Sequence, residues 1–214
     1  MAAGESITVS DMQGNEYDCI LKSFGEGVVG AEIISQRHAD TEPGYRAHLY
    51  QALPKGEKLD YIIQKAVECG VYDITTFESE RCIAKEKDPD GKKLARRQRI
   101  SLEAAKQSGR GIVPAINPTL TYSQMLNEAA DADIMLFCYE GDGTLPLRQI
   151  LSDKPELRDR DIAIVIGSEG GFSQKEVERA RECGATLVGL GKRILRTETA
   201  SGFVLSCLVY ELEL

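Results

Sequence analysis

The sequence predicts an α/β domain built on a mostly parallel sheet covered by helices on both faces, preceded by a small β-rich segment. Three observations carry this prediction. Residues 5–34 hold short strand-like runs separated by turn residues. Beyond residue 44, strand and helix patterns alternate, the order that yields a parallel sheet with covering helices. Two of the later apolar strands run into glycine-rich turns, as strands do when a ligand sits at their carboxyl ends.

In chain order, Ser6-Ile7-Thr8-Val9, Glu16 to Leu21 and Gly27 to Ile34 read as strands, with Met12-Gln13-Gly14-Asn15 as the turn joining the first two. Three strands form a poor domain on their own. Ser35 to Gly44 is polar and turn-rich and reads as a linker, which divides the chain into residues 1–44 and 45–214. Ala47 to Leu53 is the next strand. Glu57 to Cys69 comes after it as a helix, with Leu59, Ile62, Ile63, Ala66 and Val67 on one face and Gly70 as its stop. Asp73 to Phe77 is a strand, residues 94–107 a helix, and Asp133 to Cys138 and Ile162 to Ile166 further strands.

Bulk properties exclude more than they specify. The chain has 214 residues, 42% hydrophobic and 28% charged, with no apolar run near the roughly 18 residues that span a bilayer. Its start lacks the basic and apolar stretches of a secretory signal, which leaves the cytoplasm as the expected compartment. Cysteines 19, 69, 82, 138, 183 and 207 form no C-x-x-C pair and read as reduced, mostly buried residues. His38 and His48 lie in no metal-binding pattern, so no metal site is expected. A net charge of -8, from 26 basic and 34 acidic residues, argues against indiscriminate nucleic-acid binding while allowing a local basic patch.

Ile162 to Ile166 leads into Gly167-Ser168-Glu169-Gly170-Gly171-Phe172-Ser173, and Ser173 with Glu176 marks a capping box at the start of a helix. Such a turn can floor a nucleotide-like ligand, because glycines let backbone approach it closely. Alone, it is equally compatible with a tight strand-to-helix connection. Common nucleotide motifs fail: Gly184 and Gly189 have P-loop spacing, but Leu190 occupies the lysine position, and no G-x-G-x-x-G comes after a first βαβ strand. A second strand ends in glycines at Leu187 to Gly191, leading to Lys192-Arg193-Ile194-Leu195-Arg196 and an apolar helix through Leu212. Leu190, Ile194 and Leu195 could sandwich an adenine while Arg196 points to a second substrate. The alternative is that the arginines are solvated and the apolar residues are core.

Together the two loops resemble a specific family. Gly167 to Ser173, with Leu190-Gly191-x-Arg193-Ile194-Leu195-Arg196-Thr197-Glu198-Thr199-Ala200 after it, is similar to the signature of SPOUT-class enzymes that methylate N3 of a uridine in small-subunit ribosomal RNA. The blocks Lys58 to Val71 and Glu103 to Arg110 with Pro114 resemble that family's first helix and middle motif. The resemblance implies a trefoil knot, with loops 137–140, 166–171 and 190–196 surrounding S-adenosylmethionine. Ile166, Gly167, Glu169, Gly171, Leu190, Gly191, Ile194 and Leu195 would form the cofactor pocket. It also implies a homodimer, with Ala200 to Leu212 supplying part of the interface.

The chain departs from the family pattern in three places. Ser168 stands where proline is usual, and Cys69 where leucine is usual. The family begins with a strand and a His-His-containing box within a small PUA-like RNA-binding barrel, whereas Met1-Ala2-Ala3-Gly4-Glu5-Ser6-Ile7 matches the family's segment just after that box. The expectation is an incomplete barrel.

For methylation at uracil N3 the enzyme must stabilise negative charge spreading onto O2 and O4, and Arg196 is the candidate. Glu169 and Glu198 lie in the right loops, but capping or arginine positioning is the stronger reading for both. N3 lies on the Watson–Crick edge, so the target must be unpaired or flipped out. The candidate RNA patch is the basic run Lys92 to Arg99, with Arg96 and Arg97, beside Gln107 and Arg110, and the expected partner is small-subunit ribosomal RNA or the assembled subunit. Rival readings are a SPOUT enzyme acting on another RNA, such as transfer RNA, and a non-catalytic RNA-binding protein of the same fold.

Overall fold

The computed structural model describes residues 1–88, 90–152 and 155–214, which fall into two compact units. The first comprises Met1–Glu42 with Ala105–Val113, and the second Pro43–Ala104 with Pro114–Leu214. Among the described residues no helix is long and apolar enough to cross a membrane.

The first unit is an antiparallel three-stranded sheet, β1 (Ser6–Ser10), β2 (Asn15–Gly25) and β3 (Val28–His38), in the order β1-β2-β3. Its buried apolar side chains include Cys19 and Leu21 on β2. β3 runs on into the polar stretch expected as a linker, because Ser35, Gln36, Arg37 and His38 pair with Asp18, Tyr17, Glu16 and Asn15. Arg37 bridges Glu16 and Asp18 at 2.7 Å each, so polar residues make the cross-strand contacts. Glu42 then anchors the returning segment: it pairs with the Arg110 guanidinium and accepts from the Gly111 and Ile112 amides at 2.9 and 3.2 Å. Gly111 must lack a side chain there, since a Cβ would lie 2.3 Å from that of Ala39.

The second unit is a seven-stranded parallel sheet, in the order β6-β5-β4-β9-β7-β10-β8. Its strands are β4 (Arg46–Ala52), β5 (Asp73–Glu78), β6 (Ala115–Thr121), β7 (Ile134–Cys138), β8 (Leu145–Pro146), β9 (Asp161–Ile166) and β10 (Thr186–Gly189). The central strands β4, β9 and β7 bury both faces, so Ile162 to Ile166 reads as an unbroken apolar run. α1 (Lys58–Glu68) buries Leu59, Ile62, Ile63, Ala66 and Val67, the face its periodicity predicts, and packs against α6 (Thr197–Leu212). On β4, Gln51 hydrogen-bonds to Thr197 of α6. Its neighbour Tyr50 points the other way, and burial together with Asp73 and the carboxylates Glu128 and Asp131 pushes its phenol up to about 12. Helices therefore cover both faces, with α3 (Tyr122–Ala129) on the second.

Some elements were not legible. β6 contains Asn117-Pro118, which reads as a turn; it survives because it is the sheet's edge, with a register irregularity between Thr75 and Phe77 on its partner. α3 carries a Thr121/Gln124 capping box that the sequence does display. α2 (Lys92–Ser108) starts two residues earlier than expected because Asp88 accepts from the amides of Lys93 and Leu94.

At the amino ends of the central strands, His48 is held between two carboxylates. Nδ1 lies 3.1 Å from Asp73 and Nε2 3.2 Å from Asp161, which also receives the Arg46 guanidinium at 2.6 Å. Burial works against the imidazolium, but hydrogen bonds and charge attraction from Asp73 and then Asp161 outweigh it, so His48 is raised above its ordinary value.

Candidate cofactor and catalytic site

The glycine turns lie at the carboxyl ends of β9 and β10, which flank β7 in the sheet. In the first turn the Gly171 amide donates to the Ser168 carbonyl at 2.9 Å, and Gly171 adopts φ +61°. Gly167 is confined, since a Cβ would sit 3.1 Å from the Phe172 ring, itself packed 4.3 Å from Phe137. Ser173 and Glu176 close a capping box at α5 (Gln174–Glu182). Glu176, buried, also accepts from the Glu80 amide at 2.8 Å, and a Cβ on Gly170 would meet Arg81 at 2.9 Å, so the segment after β5 braces the turn from outside.

Glu169 turns back towards α1, accepting from Lys58 Nζ at 2.8 Å and the Lys55 amide at 3.2 Å. Burial pushes its carboxyl up, but these donors outweigh it and hold it below the ordinary value. Glu198 approaches the same lysine at 3.4 Å. Both acids are thus engaged with Lys58.

The second loop is open. Gly191 sits at φ +105° with nothing within 4 Å of where a Cβ would be. Leu190 and Leu195 are half-buried and Ile194 is 80% exposed, unusual for isoleucine beside a folded core. Among the described residues, no backbone group from Gly191 to Leu195 has a hydrogen-bond partner in the chain. Arg196 is exposed at the N-cap of α6, with its carbonyl accepting from Thr199 and Ala200 at 2.9 and 2.8 Å and its guanidinium without a partner among the described residues. Between the loops, the Cys138 thiol at the end of β7 is pushed up to about 12 by burial, and the Tyr139 amide donates to Val188.

These features fit S-adenosylmethionine. Free backbone donors and acceptors suit an adenine edge, the exposed apolar side chains suit its faces, and the Cβ-free space before Gly171 and Gly191 leaves room for a ligand against backbone. Ser168 Oγ, buried with no partner among the described residues, adds a polar group at the first turn. Two half-open depressions among the described residues, about 400 and 370 Å³, lie elsewhere, lined by residues such as Glu86 and Arg97. Neither touches the glycine turns, which form an open surface.

The expected RNA-contacting residues are placed less freely. In the second unit, Arg96 pairs with Asp60 and Arg97, 12% exposed, with Glu86 at 2.7 Å, while Arg99 is exposed. In the first unit, Gln107 is exposed and Arg110 is buried against Glu42. Sequence patterning locates the charges and cannot show which carboxylates answer them.

A family model described as an RNA methyltransferase domain matches residues 41–209. The ribosomal RNA small subunit methyltransferase E of Bacillus subtilis is 34% identical, covering 100% of this chain and 85% of its own. The Neisseria gonorrhoeae enzyme of that name, solved bound to S-adenosyl methionine, superposes with a TM-score of 0.85 at 31% identity, over 99% of this chain and 85% of its own. A Legionella pneumophila putative methyltransferase, solved with the same bound cofactor, gives 0.83 at 30% identity, over 98% and 84%. With a fold and cofactor-compatible loops of this kind and similarity along the whole of this chain, it belongs to the S-adenosylmethionine-dependent RNA methyltransferase family of the small-subunit methyltransferase E type.

Proposed function

We propose that this chain methylates N3 of a uridine in small-subunit ribosomal RNA. The observation that carries the reading is Arg196, an exposed cation unpaired among the described residues and anchored through its backbone directly after the open apolar loop. Ile166, Gly167, Glu169, Gly171, Leu190, Gly191, Ile194 and Leu195 form the cradle, with Glu169 shaping the first turn through Lys58 and Lys55. The bound cofactor supplies an electrophilic sulfonium methyl group.

Uracil N3 is nucleophilic only after losing its proton, and the charge then spreads to O2 and O4. Arg196 stabilises that charge as it develops, where a preorganised cation acts most strongly. Glu169 and Glu198 both lie beside Lys58, which favours a positioning role for them, and the N3 proton passes to solvent water. The target uridine is unpaired when bound, because pairing would block N3.

RNA is gripped by Arg96 and Arg97, released from Asp60 and Glu86 as phosphates replace those carboxylates, and by exposed Gln107; Arg110 acts through Glu42, holding the 109–113 segment. Residues 1–44 serve as an RNA-holding PUA-like module and residues 45–214 as the catalytic domain, with a trefoil knot formed as the chain threads back after Arg196 into α6. The active form is a homodimer joined through α6, whose Phe203 and Tyr210 stand 40% and 71% exposed on an apolar helix.

Purified protein incubated with methyl-labelled cofactor and small-subunit RNA or subunits tests the reading. Nuclease digestion should release label as 3-methyluridine. Label in another nucleoside, or only in transfer RNA, would contradict the assigned substrate, and failure to bind S-adenosylhomocysteine would favour a non-catalytic RNA-binding protein.

A further inference from the structure

Gln51, at the end of β4, is fully buried, and so nearly is Thr197, the first residue of α6. Their hydrogen bonds run in one direction. The Ala52 carbonyl can only accept, and it lies 2.9 Å from Gln51 Nε2, so the amide nitrogen must face it. The same nitrogen lies 2.9 Å from Thr197 Oγ1. The Gly167 carbonyl, also only an acceptor, lies 2.6 Å from Thr197 Oγ1, so the hydroxyl proton goes there and its lone pair receives the Gln51 N–H.

This arrangement leaves Gln51 Oε1 buried without a donor among the described residues, a penalty that an apolar side chain of similar size would avoid. Nor does the Thr197 hydroxyl cap its own helix, where the Arg196 carbonyl accepts from the Thr199 and Ala200 amides. Both polar groups are therefore used to tie the end of β4, the first glycine turn and the start of α6 together. Arg196 is the residue immediately before that tie.

We propose that Gln51 and Thr197 are positioning residues, forming a relay that locks the start of α6, and with it Arg196, to the cofactor turn at Gly167. The inference rests on the reading that the glycine turns hold the cofactor. Through the relay, occupancy of the first turn steadies the first turn of α6, and with it the backbone from which the Arg196 side chain reaches towards the ligand.

Hydrogen–deuterium exchange with saturating S-adenosylhomocysteine reads this directly, with binding first measured by calorimetry for each variant. In the wild type and in Thr197→Ser, which keeps the hydroxyl, exchange across residues 197–201 should slow by about tenfold or more on binding. Thr197→Val, matched in shape but without the hydroxyl, should bind yet slow less than threefold. Gln51→Leu, which leaves the Thr197 hydroxyl in place, should fall between, and serves if Thr197→Val does not fold. Single-turnover methyl transfer gives a second reading: Thr197→Val should lose about tenfold in rate in the wild-type background and nothing further beside Arg196→Ala. Full protection in Thr197→Val and Gln51→Leu, or additive rate losses, would overturn the relay. A wild type that binds no S-adenosylhomocysteine would instead overturn the cofactor reading, and the relay with it.

Discussion

Arg196 combines an anchored backbone with a free side chain, because its carbonyl answers two amides of α6 while its guanidinium meets no carboxylate among the described residues. Arg96, Arg97 and Arg110 are all paired, so they are less available for chemistry. If Arg196 stabilises charge on the uracil, Arg196→Ala should lower the single-turnover rate by roughly two to three orders of magnitude. Affinity for S-adenosylhomocysteine should change little, and an unchanged rate would remove the residue from the mechanism. His48 gives a second prediction at this scale. Its folded value is raised by Asp73 and Asp161, so it stabilises the fold fully below its unfolded value near 6.5 and loses that contribution as pH rises through the higher folded value. An NMR titration should place its midpoint above 6.5, and His48→Gln should flatten stability across that window. A midpoint at or below 6.5 would show that burial dominates. Sequence made the position of Arg196 legible through its neighbouring motif. The pairing of Arg110 with Glu42, 68 residues away in the chain, was not legible, since only folding reveals which carboxylate meets which cation.

Among the elements, α1 and β9 were readable because their burial obeys local periodicity: one buried stripe in the helix and an unbroken apolar run in a strand covered on both faces. β6 was hidden by Pro118, tolerable only because no strand pairs beyond it, a fact of sheet order rather than of sequence. The glycine turns were visible as composition, but their separate roles were not. Gly167 and Gly170 are crowded by Phe172 and Arg81, whereas Gly171 and Gly191 face open space at positive φ. Gly191→Val should therefore reduce S-adenosylhomocysteine affinity by more than about tenfold, ~1.4 kcal/mol, both by straining the backbone and by filling the ligand's space. Binding at wild-type strength by calorimetry would place the pocket elsewhere. For α6, Tyr210→Arg should shift the protein from dimer to monomer in sedimentation, because it puts a charge into the proposed apolar interface. A variant that stays dimeric, or a wild type that sediments as a monomer, would reject that interface.

For the whole molecule, an acidic chain must act on a polyanion, so RNA recognition has to come from local arrangement rather than net charge. On the proposed reading, Arg96 and Arg97 would have to exchange Asp60 and Glu86 for phosphate to reach RNA, which would make binding weaker than an open basic face would give. The parallel α/β sheet with its covering helices and both glycine turns could be read from the chain, as could the family resemblance. The side-chain ties that join those turns to α1 and α6 could not, because Lys58, Glu169, Gln51 and Thr197 come from distant segments. The most direct test of the central claim is to map uridine modification in small-subunit ribosomal RNA from cells with and without this gene, by reverse-transcription stops and nucleoside mass spectrometry. The account predicts one 3-methyluridine that disappears with the gene and returns with the wild-type protein but not with Arg196→Ala. An identical 3-methyluridine pattern in both strains, with a different modified nucleoside lost instead, would contradict it.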